Sequence, residues 1–206
     1  MPSTLVHLAV AALVATALLG PAFGPRSLLL ALVAAAVPDL DAFAGPVLPG
    51  AHRALGHTFL LPGLLAAAVL VGARRDGWLR ARVGARGVRV AWVAVAALFV
   101  GGVLPDLFTN GVNVLYPLHD AFYAVDGELL LSNQRGVVQT FVEPSARVGT
   151  TETVHYSTGV DPTPGAEAED VERRFYLVQS GLELMLVLAG LGVAAARLVE
   201  TRGGAE

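Results

Sequence analysis

The sequence predicts an all-α polytopic membrane protein, a bundle of four or five transmembrane helices with a small extracytoplasmic β-rich cap. Three observations carry that class. The chain is 54% hydrophobic and 15% charged, with a mean hydropathy of +0.62, whereas a soluble domain carries about 25% charged residues. Long apolar runs recur along it, and a polar, β-prone stretch separates the last two. The 206 residues suit one compact domain in which spans of about 20 residues use most of the length.

The runs fall at 3–20, 27–45, 55–72, 88–106 and 175–198. The first has no basic residue ahead of its apolar core and is long for a signal peptide, so it reads as a retained span. The second is broken by Pro38, and its clean stretch, "SLLLALVAAAV", is short enough for a re-entrant or half-length helix. Residues 73–89, "ARRDGWLRARVGARGVR", hold six Arg and one Asp between the third and fourth runs. The positive-inside rule places this loop in the cytoplasm, where it also meets anionic head groups. With only Trp78 among its basic residues, it lacks the aromatic interleaving of a nucleic-acid surface.

Counting outward from that loop leaves residues 38–54 and the acidic stretch 107–174 outside, and the C-terminus inside. The outer stretch holds four Arg against ten Asp and Glu. Within it, Asp126-Gly127 between β-prone runs signals a two-residue hairpin, and "GVVQTFVE" and "TETVHYSTGV" read as further strands. "DPTPGAEAEDVERR" leads acidic residues into the last span, where they suit a helix N-terminus. The predicted organisation is thus a membrane domain at 1–119, a cap at 120–174, and a final helix with a cytoplasmic tail at 175–206. No cysteine is present, which excludes disulfides and thiolate ligands.

The polar residues of the apolar half converge on one membrane face. His7 lies near the outer end of the first run, Asp39 and Asp41 at the outer end of the second, His52 and His57 at the start of the third, and Asp106 at the end of the fourth. Singly, each has a plain structural role: a helix-to-helix hydrogen bond for His7, turn or cap positions for the aspartates after Pro38 and Pro105. Together they form an imidazole and carboxylate set suited to Zn, Mn or Fe(II). Residues two apart cannot share a helix face, so Asp39 and Asp41 reach one ion only from non-helical backbone. Arg53 and His57, four apart, share a face, which favours His57 over His52 as a ligand and gives Arg53 an anionic group or a ligand carboxylate to hold. Asp39, Asp41 or His52 serves as general acid or base. His119 and Asp120 lie close to the same face, His155 reads as a surface residue of the cap, and Glu183 as a hydrogen-bonding residue inside the last span.

An early His, then "PDLD", "HRALGHT" and "PDLFTNGVNVLYP", in this order and spacing, resemble the membrane-bound metal-dependent hydrolases of the YdjM/YbcI type, themselves distantly similar to zinc-dependent phospholipase C. The resemblance covers about residues 5–60 and 98–125. It implies a small polytopic hydrolase and carries the ligand role onto His7, Asp39, Asp41, His57 and Asp106. Gly56 departs from the pattern by standing where Ser or Thr often precedes the His. The expected activity is metal-dependent hydrolysis, of a phosphoester of a lipid or lipid-linked substrate, at the outer face of the cell membrane. The expected cofactor is a divalent ion, Zn before Mn or Fe, and the expected partners are membrane lipids and a small-molecule or lipid substrate, with no nucleic acid. Two rivals stand beside it: an ion- or solute-binding transporter, whose polar residues would spread across the bilayer, and a non-catalytic scaffold whose acidic cap binds a partner.

Overall fold

The computed structural model describes residues 2–74, 77–141, 147–162 and 173–203. Its first three helices are α1 (Thr4–Leu18), α2 (Pro25–Ala36) and α3 (Leu60–Gly72). Helices of 15, 12 and 13 residues rise about 18–22 Å, short of a hydrocarbon core of about 30 Å. Among the described residues, two helices are long and apolar enough to cross: Trp78–Leu107, with 30 residues, and Gly181–Gly203, with 23. The predicted bundle of four or five spans is therefore corrected to two candidate spans, with shorter apolar helices packed beside them.

The sequence punctuation explains the shortening. Gly20-Pro21 ends α1 in a single 3-10 turn, Gly24 precedes the Pro25 that starts α2, and Pro38 tips the chain into the 3-10 turn Pro38–Phe43. Pro lacks the donor that continues a helix. The third run loses its first residues because the chain from His52 to Thr58 is turn-like, so helix resumes only at Leu60. The fourth gains length instead. α4 (Trp78–Ala96) takes in Arg80, Arg82, Arg86 and Arg89, so most of the predicted basic loop is helix, broken at Gly84 with φ 64°. It continues through a π-helical stretch, Ala97–Val103, into α5 (Leu104–Leu107).

Small residues set the packing. α1 lies between α2, the π-helical stretch and α6 (Gly181–Gly203), and the core where they meet is built from Ala11, Ala15, Ala31, Ala35 and Ala97. A Cβ on Gly102 would stand 2.6 Å from the Ala35 carbonyl oxygen, and one on Gly190 would stand 2.5 Å from that of Ala9. Close backbone approach through small residues is how apolar helices gain dispersion contact where lipid is as apolar as the partner helix.

Among the described residues the cap contains two small antiparallel sheets. β1 (Val112–Leu115), β2 (His119–Tyr123) and β5 (Arg147–Gly149) form one, in the order β1-β2-β5. β3 (Leu129–Ser132) and β4 (Gly136–Gln139) form the other, with Leu129 opposite Gln139 and Ser132 opposite Gly136. The sheet thus begins ahead of residue 120. The hairpin turn lies at Asn133–Arg135 rather than Asp126-Gly127: Ser132 Oγ accepts from the backbone of Gln134 and Arg135, and Gly136 takes φ 69°. Gly127 instead lets the chain pass close to Phe141, whose amide nitrogen would be 2.6 Å from its Cβ. Residues 151–160 form turns and loop, not a strand. Residues 163–172, most of the acidic lead-in, lie outside the described residues. Among the described residues, Glu183 bonds at its own helix end and not across the bundle. It caps α6, accepting from the Gln179 amide while its own amide donates to Ser180 Oγ, the arrangement that Ser-x-x-Glu favours.

Because Gly102 touches α2 backbone, Gly102→Val is expected to destabilise by about 1–3 kcal/mol or more. Gly192→Val, at a position with nothing within 4 Å, should leave thermal unfolding in detergent unchanged. Equal midpoints for both variants would show that close approach at Gly102 does not hold the helices.

Candidate metal centre

Four elements each deliver one side chain to a common point. His7 comes from the first turn of α1, Asp39 from the 3-10 turn, His57 from the loop before α3, and Asp106 from α5. One ligand atom from each lies within 4.8 Å of every other. His7, His57 and Asp106 are buried, while Asp39 is 19% exposed in its side chain.

The spacing separates ligands from hydrogen-bond partners. His7 Nε2 stands 3.6 Å from Asp39 Oδ1 and 3.4 Å from Asp106 Oδ2, and His57 Nε2 stands 3.5 Å from Asp39 Oδ1. Those distances are long for an N–H···O bond, but ligands about 2.0–2.1 Å from one ion at tetrahedral angles stand about 3.4 Å apart. The fourth pair, His57 Nε2 to Asp106 Oδ2 at 2.9 Å, is closer. Both Nε2 atoms are fully buried and make no hydrogen bond, a costly state for a polar atom unless something else binds it.

The opposite atom of every ligand is already engaged. His7 Nδ1 donates to the Gly101 carbonyl at 2.8 Å, on the π-helical stretch. Such bulges recur at functional sites. Thr4 Oγ1 donates to Asp39 Oδ2. Arg53 Nη2 donates to Asp106 Oδ1. His57 Nδ1 donates to Asp41 Oδ2 at 3.0 Å. Partners of this kind fix ring orientation and tautomer and raise ligand basicity. The four residues therefore fit a divalent ion, with two imidazole nitrogens and two carboxylate oxygens as its donors.

Asp41 is placed behind the cluster, not in it. Its carboxylate accepts from His52 Nδ1 at 2.7 Å, from the amides of Arg53 and Gly56 at 3.0 Å each, and from His57. Burial alone would push its pKa up, but the His52 and His57 hydrogen bonds outweigh it and hold the group at about 2. The 3-10 turn is what sends Asp39 and Asp41 in different directions. Gly56 is required here, because its Cβ would fall 2.3 Å from the Pro38 carbonyl. The chain gives up a hydroxyl at this position, and the close approach that Gly permits leaves the backbone amide bonded to Asp41.

Arg53 is 1% exposed and takes φ 65°. Its guanidinium bonds Asp106 and stacks on Tyr156, 4.5 Å from the ring centre. Of its two expected roles, it thus holds a carboxylate, that of the candidate ligand Asp106. Tyr156 carried no sequence signal, since nothing local marks a loop tyrosine that folds back onto a buried arginine. His52 lines a cavity beside the cluster. Asp120 and His119 stay outside the centre: Asp120 ties Asn113 to Thr151, and His119 lies beside Tyr123. His155 is half-buried and contacts the Pro162 carbonyl.

Charge balance adds a second argument. Three carboxylates (Asp39, Asp41 and Asp106) face a single guanidinium, and uncompensated charge in a low-dielectric site is expensive. Without an ion, His57 supplies part of the compensation. Burial lowers its pKa, but the carboxylates of Asp106, Asp39 and Asp41 around it raise it well above the usual histidine value.

The profile of the YdjM inner membrane protein family matches residues 1–156. The chain belongs to this family. No curated protein and no solved structure matches it. The matched region includes the whole four-residue cluster together with Asp41, His52, Arg53 and Tyr156. The family's description names a membrane and no reaction, and the two long apolar helices agree with the membrane.

His57→Ala and Asp106→Ala are expected to purify without metal, and His52→Ala to retain it, as read by elemental analysis of protein from one expression. Metal must displace the His57 proton, so apparent affinity should strengthen as pH rises and level off above the His57 pKa. Titration calorimetry in buffers of different ionisation enthalpy checks this. Affinity independent of pH, with no proton released, would contradict a ligand role for His57.

Proposed function

We propose that the chain is a metal-dependent hydrolase acting on a phosphoester at the extracytoplasmic membrane face. The observation that supports this reading is the pairing of the four converging donors with an adjoining cavity of about 400 Å³ whose wall includes Asp39 and His52. Zn is the first candidate, with Mn or Fe(II) alternatives for the same nitrogen and oxygen donors. A bound divalent ion would polarise the scissile group and bring the pKa of a coordinated water toward neutrality.

Four protein donors close a tetrahedron, and closed tetrahedral sites are structural. A carboxylate and imidazole set also suits ions that take five or six ligands. Asp39, the one partly exposed ligand, gives such a site its open side, toward the cavity.

The chain's own residues supply the proton traffic. Asp41 Oδ1 holds His52 Nδ1, which leaves His52 Nε2 as the nitrogen able to exchange a proton at the cavity wall. Hydrolysis forms a bond from water oxygen to phosphorus and breaks the bond to the alcohol oxygen. His52 takes the water proton and returns one to the departing alkoxide. Arg53 acts through Asp106, fixing its orientation.

The Arg distribution supports the orientation. Arg89 and Asp106 lie on one continuous helix, about 25 Å apart by helical rise, and Arg197 and Arg202 lie towards the far end of α6. The positive-inside rule puts the Arg ends in the cytoplasm and the cluster at the opposite interface. The chain has no native cysteine, so single cysteines report cleanly. Gln134→Cys should react with an impermeant maleimide on intact cells, and Arg82→Cys only after lysis. The reverse pattern would move the site to the cytoplasmic face.

Turnover is tested with chelated protein on a panel of phosphoesters before and after Zn²⁺ or Mn²⁺ is restored. Activity should return with metal. His52→Gln should keep metal and fold while losing about 10²–10⁴ in kcat. Absence of metal-dependent turnover, together with a sharp fall in melting temperature on chelation, would identify a structural ion and reject the enzyme.

A further inference from the structure

The cavity beside the cluster has a lining that points to one kind of molecule. Its polar lining includes Asp39, His52 and Thr4 beside the cluster, with Ser157, Thr158 and Gln179. Most of the remaining wall is apolar: Ala36, Leu40 and Phe43 come from α2 and the 3-10 turn, and Val160, Phe175 and Tyr176 from the chain ahead of α6. Arg174 also lines it, with its guanidinium 3.4 Å from the Tyr176 hydroxyl. The apolar wall continues outward as an exposed rim. Leu40 is 61% exposed, Phe43 66% and Phe175 72%, with Val47, Leu48 and Leu177 exposed nearby in sequence. Large apolar side chains gathered at one end of a membrane protein mark contact with lipid or with an apolar ligand. The far wall is closely built, since the Phe175 ring covers Gly159, where a Cβ would come within 2.3 Å of it.

We infer that this cavity takes an amphiphile: a hydrocarbon chain along the apolar wall, with a phosphate head between Arg174 and the His7, Asp39, His57 and Asp106 cluster. The inference rests on the hydrolase reading and adds the substrate's second half. About 400 Å³ is within the range of small-molecule sites. It suits a head group with the first part of a chain, and the remainder leaves over Leu40 and Phe43 into the bilayer. A free, fully hydrated phosphoester would gain nothing from such a wall. A phospholipid and a polyprenyl phosphate share this chemistry.

The test uses full-length, metal-loaded protein in lipid nanodiscs and two probes that cannot be hydrolysed, methylphosphonate and octylphosphonate. Octylphosphonate should bind about a hundredfold more tightly, as expected if half its additional methylenes leave water. Ala36→Phe adds bulk to the cavity wall and leaves every cluster residue in place, so it should retain metal by elemental analysis while losing about tenfold or more of the octylphosphonate affinity and little of the methylphosphonate affinity. As a second reporter, octylphosphonate should slow maleimide modification of Phe43→Cys. Competition by phosphatidic acid or by a polyprenyl phosphate then tells the two sources apart. Equal affinity for the two phosphonates, in protein that holds metal, would overturn the amphiphile and leave the hydrolase standing. Octylphosphonate binding unchanged by Ala36→Phe would also overturn it, as partition into the disc. Protein without metal that still shows chain-length-dependent, Ala36→Phe-sensitive binding would support the cavity and reject the hydrolase.

Discussion

The carboxylate of Asp41 organises the molecule's polar centre. Its two oxygens take four donors, two imidazoles and two backbone amides, all from the turn-like stretch between residues 52 and 57. That stretch has no regular helix or sheet to satisfy its backbone, and buried amides need partners. Asp41 therefore does two things at once. It folds the loop against the 3-10 turn, and it points His57 Nε2 at the place where His7, Asp39 and Asp106 meet.

The helices are subordinate to that geometry. α1 presents His7 to the carbonyl of Gly101 because the π-helical stretch brings that carbonyl within reach, and Gly102 lets α2 approach closely enough to set Pro38 and the aspartates beside it. Apolar packing by Ala and Gly surrounds the centre without supplying its specificity. Arg53 joins the two levels. Its backbone accepts the Asn113 amide of β1, its amide donates to Asp41, and its guanidinium reaches Asp106 beneath Tyr156. The small sheet is thereby coupled to the ligand set.

The arrangement also explains why so little charge is spent elsewhere in the apolar half. Carboxylates in a low-dielectric setting are tolerated where each oxygen has a donor or a cation. Asp41 meets that condition with hydrogen bonds, and Asp106 meets it with Arg53 on one oxygen. The remaining oxygens of Asp39 and Asp106 face the two unpartnered imidazole nitrogens, a set that a divalent ion would satisfy.

By itself the sequence determined the membrane character, through composition, and the candidate centre, through motifs whose order survives without any knowledge of contacts. His7, Asp39, His57 and Asp106 were legible because ionisable residues are rare in apolar runs. The cap of α6 was missed, because Glu183 in an apolar run reads as an intramembrane polar residue and Ser180 three residues earlier went unused. Tertiary structure decided three things. Span number was one, because apolar run length does not show where Pro38, Gly20-Pro21 and the loop before Leu60 interrupt the helix. The division between Asp39 and Asp41 was another, since a two-residue spacing leaves their directions open until the backbone is known to be 3-10. The third was the place of Arg53 and Tyr156, residues 103 apart in number but stacked in space, a contact that only the return of the cap over the helix ends creates.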